Sequence, residues 1–238
     1  MREEPASIEL RAGSALSGVV HLPDSPSGIA CVVGHGAGSD MRSPHVVTTA
    51  AGLAARGHVA LRFNFPYREA GSRMPDRMPV LEPAYRAAAE WLRARQRGGP
   101  LILGGRSLGG RVASHLAAAG LACEGLVFYG YPLHPAKKRD ALRDEHLPRV
   151  PVPMLFVQGA RDALCDLDLL RPVLERIGPR ASLHVVRDAD HSFEVLKSSG
   201  RTAADVEAEV AGAVDAWLRA RVTGAGAIHS QTLPQRSR

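Results

Sequence analysis

Apolar residues of this chain gather into short runs, separated by longer stretches in which they recur every three or four positions. Ile29–Val33 is almost wholly apolar and stops at Gly34. Such a run, bounded by glycine, marks a strand covered on both faces. The pattern returns at Val59–Phe65, Leu101–Leu103, Gly125–Tyr129, Met154–Val157 and Leu183–Val186. Two shorter β-like segments, Ile8–Arg11 and Gly18–Leu22, come first, and the turn-forming cluster Pro23–Gly28 follows them. Between the runs the spacing is helical. Pro44–Arg56 stops at Gly57, and Glu82–Arg97 places Tyr85, Ala88, Ala89 and Leu92 on one stripe. Leu108–Ala119, Leu167–Ile177 and Thr202–Arg221 complete the set, the last built around Val206, Val210, Val214 and Trp217. This alternation predicts an α/β fold, a mostly parallel sheet with helices on both faces.

With 238 residues, 45% of them hydrophobic, the chain is long enough for one sizeable core. Residues 1–222 read as a single domain, and 223–238, small and polar, as a disordered tail. Residues 131–150 form the longest stretch without periodicity. A loop of that length in a compact domain is usually functional; here it reads as a small lid over a site or as a decorated surface loop. The net charge of +6 raises nucleic acid as a partner. The arginines, however, are interleaved with acids, as in Arg139-Asp140-Ala141-Leu142-Arg143-Asp144-Glu145, which describes a solvated surface and not a binding stripe. Three scattered cysteines make neither a disulfide framework nor a zinc site. No run approaches a membrane span, and the polar start Arg2-Glu3-Glu4-Pro5 has no apolar signal region. A cytosolic protein with no nucleic-acid or membrane partner is the expectation.

The chemistry concentrates around Ser107. Leu101–Ser114 reads as strand, sharp turn and helix, and holds G-x-S-x-G as Gly105-Arg106-Ser107-Leu108-Gly109. A nucleophilic serine needs this turn, because its hydroxyl must stand clear of the backbone above the sheet. The flanking glycines remove Cβ atoms where strand and helix would collide. In this arrangement the acid and then the base follow the serine in the chain. Asp162 follows the run Met154–Val157, and His191 follows Leu183–Val186. Asp166, Asp168, Asp188 and Asp190 are rival acids. The first two read as helix openers and the others as shapers of the turn that carries His191. His115 and His184 read as packing residues. An oxyanion needs two backbone N–H groups. One is expected from Leu108. The other is expected from the glycine-rich loop Gly34-His35-Gly36-Ala37-Gly38, from Ala37 with Gly36 as its rival. His35 reads as a loop-shaping residue. Arg68, Arg73 and Arg77 read as surface charge in preference to a site for an acidic group.

The segments Gly34–Gly38, Gly104–Arg111, Tyr131-Pro132-Leu133-His134-Pro135, Leu142–Leu147 and Ala189–Ser192 resemble one subgroup of α/β hydrolases. It is the family of the testis-expressed hydrolase-like protein and of a related subunit of a nuclear histone acetyltransferase complex, similar also to dienelactone hydrolases. The resemblance spans Ile29 to Arg221. It implies an eight-stranded α/β-hydrolase fold, with Ser107 as nucleophile, Asp162 as acid and His191 as base. The expected function is a serine hydrolase acting on a small-molecule acyl substrate (an ester, thioester or relative) without cofactor or metal. The alternative is a non-catalytic interaction module on the same fold, since some members of the subgroup serve as scaffolds.

Overall fold

The computed structural model describes residues 1–10, 13–96 and 98–223. The expected tail beyond Thr223 therefore lies outside the described residues, as do Arg11 and Arg97, the last residues of an expected strand and an expected helix. Eight strands form one sheet: β1 (Arg2–Glu9), β2 (Ala15–Leu22), β3 (Ala30–Gly34), β4 (Val59–Phe63), β5 (Leu101–Arg106), β6 (Gly125–Tyr129), β7 (Met154–Gly159) and β8 (Ala181–Val186). Their order is β1-β2-β4-β3-β5-β6-β7-β8. The pairings β1–β2 and β2–β4 are antiparallel, and all others are parallel. Among the described residues six α-helices accompany the sheet: α1 (Pro44–Ala54), α2 (Pro66–Glu69), α3 (Met78–Arg95), α4 (Leu108–Ala118), α5 (Leu167–Ile177) and α6 (Ala203–Leu218).

The apolar runs are continuous because both faces of the sheet are covered. Alternate residues of each run enter opposite cores. Leu103, Leu126, Phe128 and Phe156 pack with Tyr85 of α3, Leu116 of α4 and Leu170 of α5. Ile102, Val127, Leu155 and Val157 pack on the other side with Val46 of α1 and Val210 and Trp217 of α6. No helix among the described residues is long and apolar enough to cross a membrane.

Several boundaries differ from the sequence expectation. β1 runs from Arg2 to Glu9 and not from Ile8 to Arg11, because an edge strand takes its backbone bonds from β2 and buries only Ala6 and Ile8. β4 ends at Phe63, and Pro66 then opens α2, a turn of helix the run Val59–Phe65 concealed. α3 begins at Met78 and not at Glu82, since Pro79 is tolerated in a first turn. α6 starts after Thr202, whose side chain and that of Asp205 cap each other's backbone N–H groups.

Residues 131–150 contain one short turn of 3-10 helix, Leu147–Arg149, and are tied down at both ends, with 136–141 exposed between them. Tyr131, Leu133, Leu147 and Val150 are fully buried. The Tyr131 hydroxyl donates to the Arg143 carbonyl at 2.7 Å, and the Arg143 N–H donates to the Leu133 carbonyl at 2.8 Å. Arg176 of α5 pairs with Asp144.

Candidate active site

Five strands run parallel from β3 to β8 in the sheet order, so their carboxyl ends share one rim. The loops leaving that rim after β3, β5, β7 and β8 carry the residues singled out above.

Ser107 stands between β5 and α4 with φ 48°, in the left-handed region that non-glycine residues avoid. The strain is held by neighbours. The Ser107 N–H donates to the Tyr129 carbonyl at 3.2 Å, and the Ser107 carbonyl accepts from Arg111 at 3.1 Å, starting α4. The buried Tyr85 hydroxyl donates to the Gly104 carbonyl at 2.6 Å and accepts from the Gly104 N–H at 2.8 Å, fixing β5 just before the turn. The glycines are required here. Gly105 has φ 148°, and a Cβ on it would stand 2.2 Å from the Gly34 carbonyl oxygen. A Cβ on Gly109 would stand 2.3 Å from the same oxygen. Strand β3 and helix α4 meet at backbone distance, and that contact brings the loop after β3 beside Ser107.

In that loop, a Cβ on Gly36 would lie 3.7 Å from the Ser107 Cβ. The Gly36 carbonyl faces inward, 2.9 Å from His35 Nδ1, and accepts from the Tyr67 hydroxyl at 3.2 Å and the Ser39 N–H at 3.3 Å. A trans peptide points its N–H opposite to its C=O. The Ala37 N–H therefore faces away from this inward network, and among the described residues nothing accepts from it. The Leu108 N–H, at the first turn of α4, has no helical acceptor either. His35 shapes the loop, as expected: its Nε2 accepts from the Phe65 N–H at 3.1 Å. Burial lowers its pKa to about 4, which keeps the ring neutral. Arg68 is committed to Asp40 at 2.9 Å and to the Ser72 carbonyl at 2.8 Å, so it braces this region.

Asp162 and His191 meet: His191 Nδ1 lies 2.7 Å from Asp162 Oδ2. The Asp162 side chain is fully buried, whereas that of His191 keeps 26% of its surface. Asp162 Oδ1 accepts from the Leu164 N–H at 2.7 Å, and Oδ2 also accepts from Gln158 Nε2. Gln158 in turn accepts from the Tyr131 N–H at 2.9 Å. The rival acids do what the sequence implied. Asp166 caps α5, accepting from Asp168 N–H at 2.8 Å. Asp190 accepts from the N–H groups of Ser192 and Glu194, and Asp188 takes a positive φ of 62° in the same turn. The His191 loop is stitched to the Asp162 loop by the Arg161 N–H, 2.8 Å from the Ala189 carbonyl. Among the described residues nothing bonds the Ser107 hydroxyl; in unliganded sites such contacts are often long and tighten on binding.

Sequence reasoning missed Gln158, which holds the acid, and the link from Arg106 to the His191 carbonyl at 3.3 Å. A lone polar residue at the end of the apolar run β7 was the signal available for Gln158.

The buried histidines carry a pH prediction. Burial lowers His35 to about 4 and His146 to about 3, the latter with help from His115, Arg111 and Arg149. Below the unfolded value near 6.5 the unfolded chain takes up protons that the folded chain refuses. Stability from these rings is thus whole above pH ~6.5. It falls by about 1.4 kcal/mol per pH unit per ring as acid is added, until the folded pKa is reached. The urea midpoint should drop steadily from pH 7 to pH 5; a flat profile would contradict the neutral-ring assignment.

A mostly parallel sheet in this order, with a strained serine turn after β5, an acid after β7 and a histidine after β8, defines the α/β-hydrolase class. The chain belongs to the alpha/beta hydrolase domain family, whose model matches residues 28–219. Solved structures share the fold. A serine hydrolase from Xanthomonas campestris, described as lacking a lid, is 23% identical, with 92% of this chain and 95% of that one covered at a TM-score of 0.72. An esterase domain from Rhodothermus marinus is 18% identical, covering 93% and 100%, with a TM-score of 0.72. A dienelactone hydrolase from Anabaena variabilis is 21% identical, covering 93% and 98%, with a TM-score of 0.71.

Proposed function

We propose that the protein is a serine hydrolase acting on a small ester, thioester or related acyl compound, with Ser107 as nucleophile, His191 as base and Asp162 as the acid that orients it. The observation that carries the reading is the buried Asp162 carboxylate held 2.7 Å from His191 Nδ1, on the same rim as the strained Ser107. Bonded at Nδ1, His191 keeps Nε2 free to take the Ser107 proton. The Ser107 oxygen then bonds to the acyl carbon, and the leaving group departs with the proton that His191 returns. Water, deprotonated by His191, attacks the acyl-enzyme and restores Ser107. The N–H groups of Leu108 and Ala37 carry the oxyanion in both halves.

These steps are complete without a metal or cofactor, and their partner is a dissolved small molecule and not nucleic acid or a membrane. A cytosolic location fits the same reading. The motifs that resemble the testis-expressed and acetyltransferase-subunit subgroup, and the dienelactone hydrolases, carry the nucleophile, acid and base and leave the acyl substrate to the test below. The buried anchors of residues 131–150 favour a packed surface loop over a mobile lid.

A panel of p-nitrophenyl esters of graded acyl length, with and without a free carboxylate, tests the reading. Turnover of short acyl esters well above that of the Ser107→Ala variant is expected. No turnover above that background for any ester, together with stable partner binding, would favour an interaction module.

A further inference from the structure

A cavity of about 340 Å³ lies on the α1 and α6 side of the sheet, bordered by the segment that follows His191. Its size falls within the range of small-molecule sites. Neither Ser107 nor His191 lines it, but their chain neighbours Arg106 and Ser192 do. Its walls are mainly apolar, with Leu53 of α1, Val206 and Val210 of α6, and Phe193. Phe193 is held at φ 65°, and its ring stacks on the Arg106 guanidinium at 4.8 Å.

Arg106 is the unusual group. It is mostly buried, and among the described residues the one hydrogen bond of its guanidinium goes to the His191 carbonyl. Among the described residues no carboxylate lies within ion-pairing distance of it. The acids whose fields reach it, Asp162 and Asp190, are already engaged with His191 and with the turn N–H groups. Burial pulls its pKa down to about 10, the mark of a cation that its surroundings do not balance. Of the other charged lining groups, Glu194, Lys197 and Glu207 are exposed, where water screens them, and Arg201 is ion-paired with Glu209. An uncompensated buried guanidinium is costly, and a carboxylate, which it can grip with two parallel hydrogen bonds, relieves that cost.

We propose that this cavity is a ligand site, separate from the acyl site at Ser107, for a small monocarboxylate with an apolar body. The carboxylate meets Arg106 and the body lies against Leu53, Val206 and Val210. Arg106 is the one largely buried lining cation that no carboxylate pairs among the described residues, which matches one negative charge, and Thr48 and Thr49 of α1 line the same cavity.

Isothermal titration with octanoate, octanol and octylammonium tests this. Octanoate should bind one per chain, octanol at least tenfold more weakly, and octylammonium not at all. Arg106→Met should reduce octanoate to the level of octanol. Thr48→Phe, which fills the cavity from half-buried Thr48 on α1, should abolish binding of both. Since Arg106 also braces the His191 loop, Thr48→Phe serves as the test that does not depend on it. Ser107→Ala should leave binding unchanged. Absence of octanoate binding to the wild type, indifference to Thr48→Phe, or loss in Ser107→Ala would each overturn the proposal. The last would put octanoate in the acyl site. Failure of the hydrolase reading shows separately, as esters that are not turned over while octanoate still binds.

Discussion

Ser107→Ala is expected to lower kcat on any ester the protein turns over by about 10⁴-fold or more, since a nucleophile and its base act as a unit. The fold should survive. The serine side chain caps no helix N–H, and the strained turn is fixed by backbone bonds from Tyr129 and Arg111 and by the close meeting of Gly105 and Gly109 with Gly34. Alanine accepts the same φ at similar cost. Thermal unfolding should therefore overlay that of the wild type, while activity is lost. Residual activity within tenfold of the wild type would remove Ser107 from the chemistry.

Asp162→Asn should reduce kcat by about 10⁴-fold, through the tautomer of His191 and not through its position. The carboxylate accepts three donors: His191 Nδ1–H and Gln158 on Oδ2, and the Leu164 N–H on Oδ1. An amide has one acceptor oxygen. If its NH2 faces His191, Nδ1 must become the acceptor, Nε2 carries the proton, and the ring cannot take one from Ser107. If it flips, the NH2 opposes the Leu164 N–H. One buried donor loses its partner either way, at a cost of about 1–3 kcal/mol of stability. A kcat near the wild-type value would show that His191 is oriented by something else.

The elbow was legible because its chemistry and its backbone demand coincide. Glycine, serine and glycine between a buried run and a helix have few other uses, and the structure gives each of the two glycines a backbone oxygen at contact distance. The pairing of Asp162 with His191 was legible for a similar reason, since each lies in the loop just after an apolar run. The edges of the fold were less so. Arg2, Glu3 and Glu4 belong to a strand through bonds to β2, and an exposed edge leaves no apolar alternation to read. α2 lay hidden behind Phe65, an apolar residue that continued the β4 pattern into a helix cap. The supports of the site were least visible. Arg106 reaches the carbonyl of a residue 85 positions away. Gln158 serves Asp162 only because the chain turns back at Gly159, where a Cβ would stand 2.3 Å from the Asp190 carbonyl oxygen.

Covalent labelling with a fluorophosphonate, followed by peptide mass mapping, tests the central claim most directly. The adduct should form on Ser107, be absent in Ser107→Ala, and form far more slowly in His191→Ala. An unmodified Ser107, under conditions that label a known serine hydrolase in parallel, would contradict it.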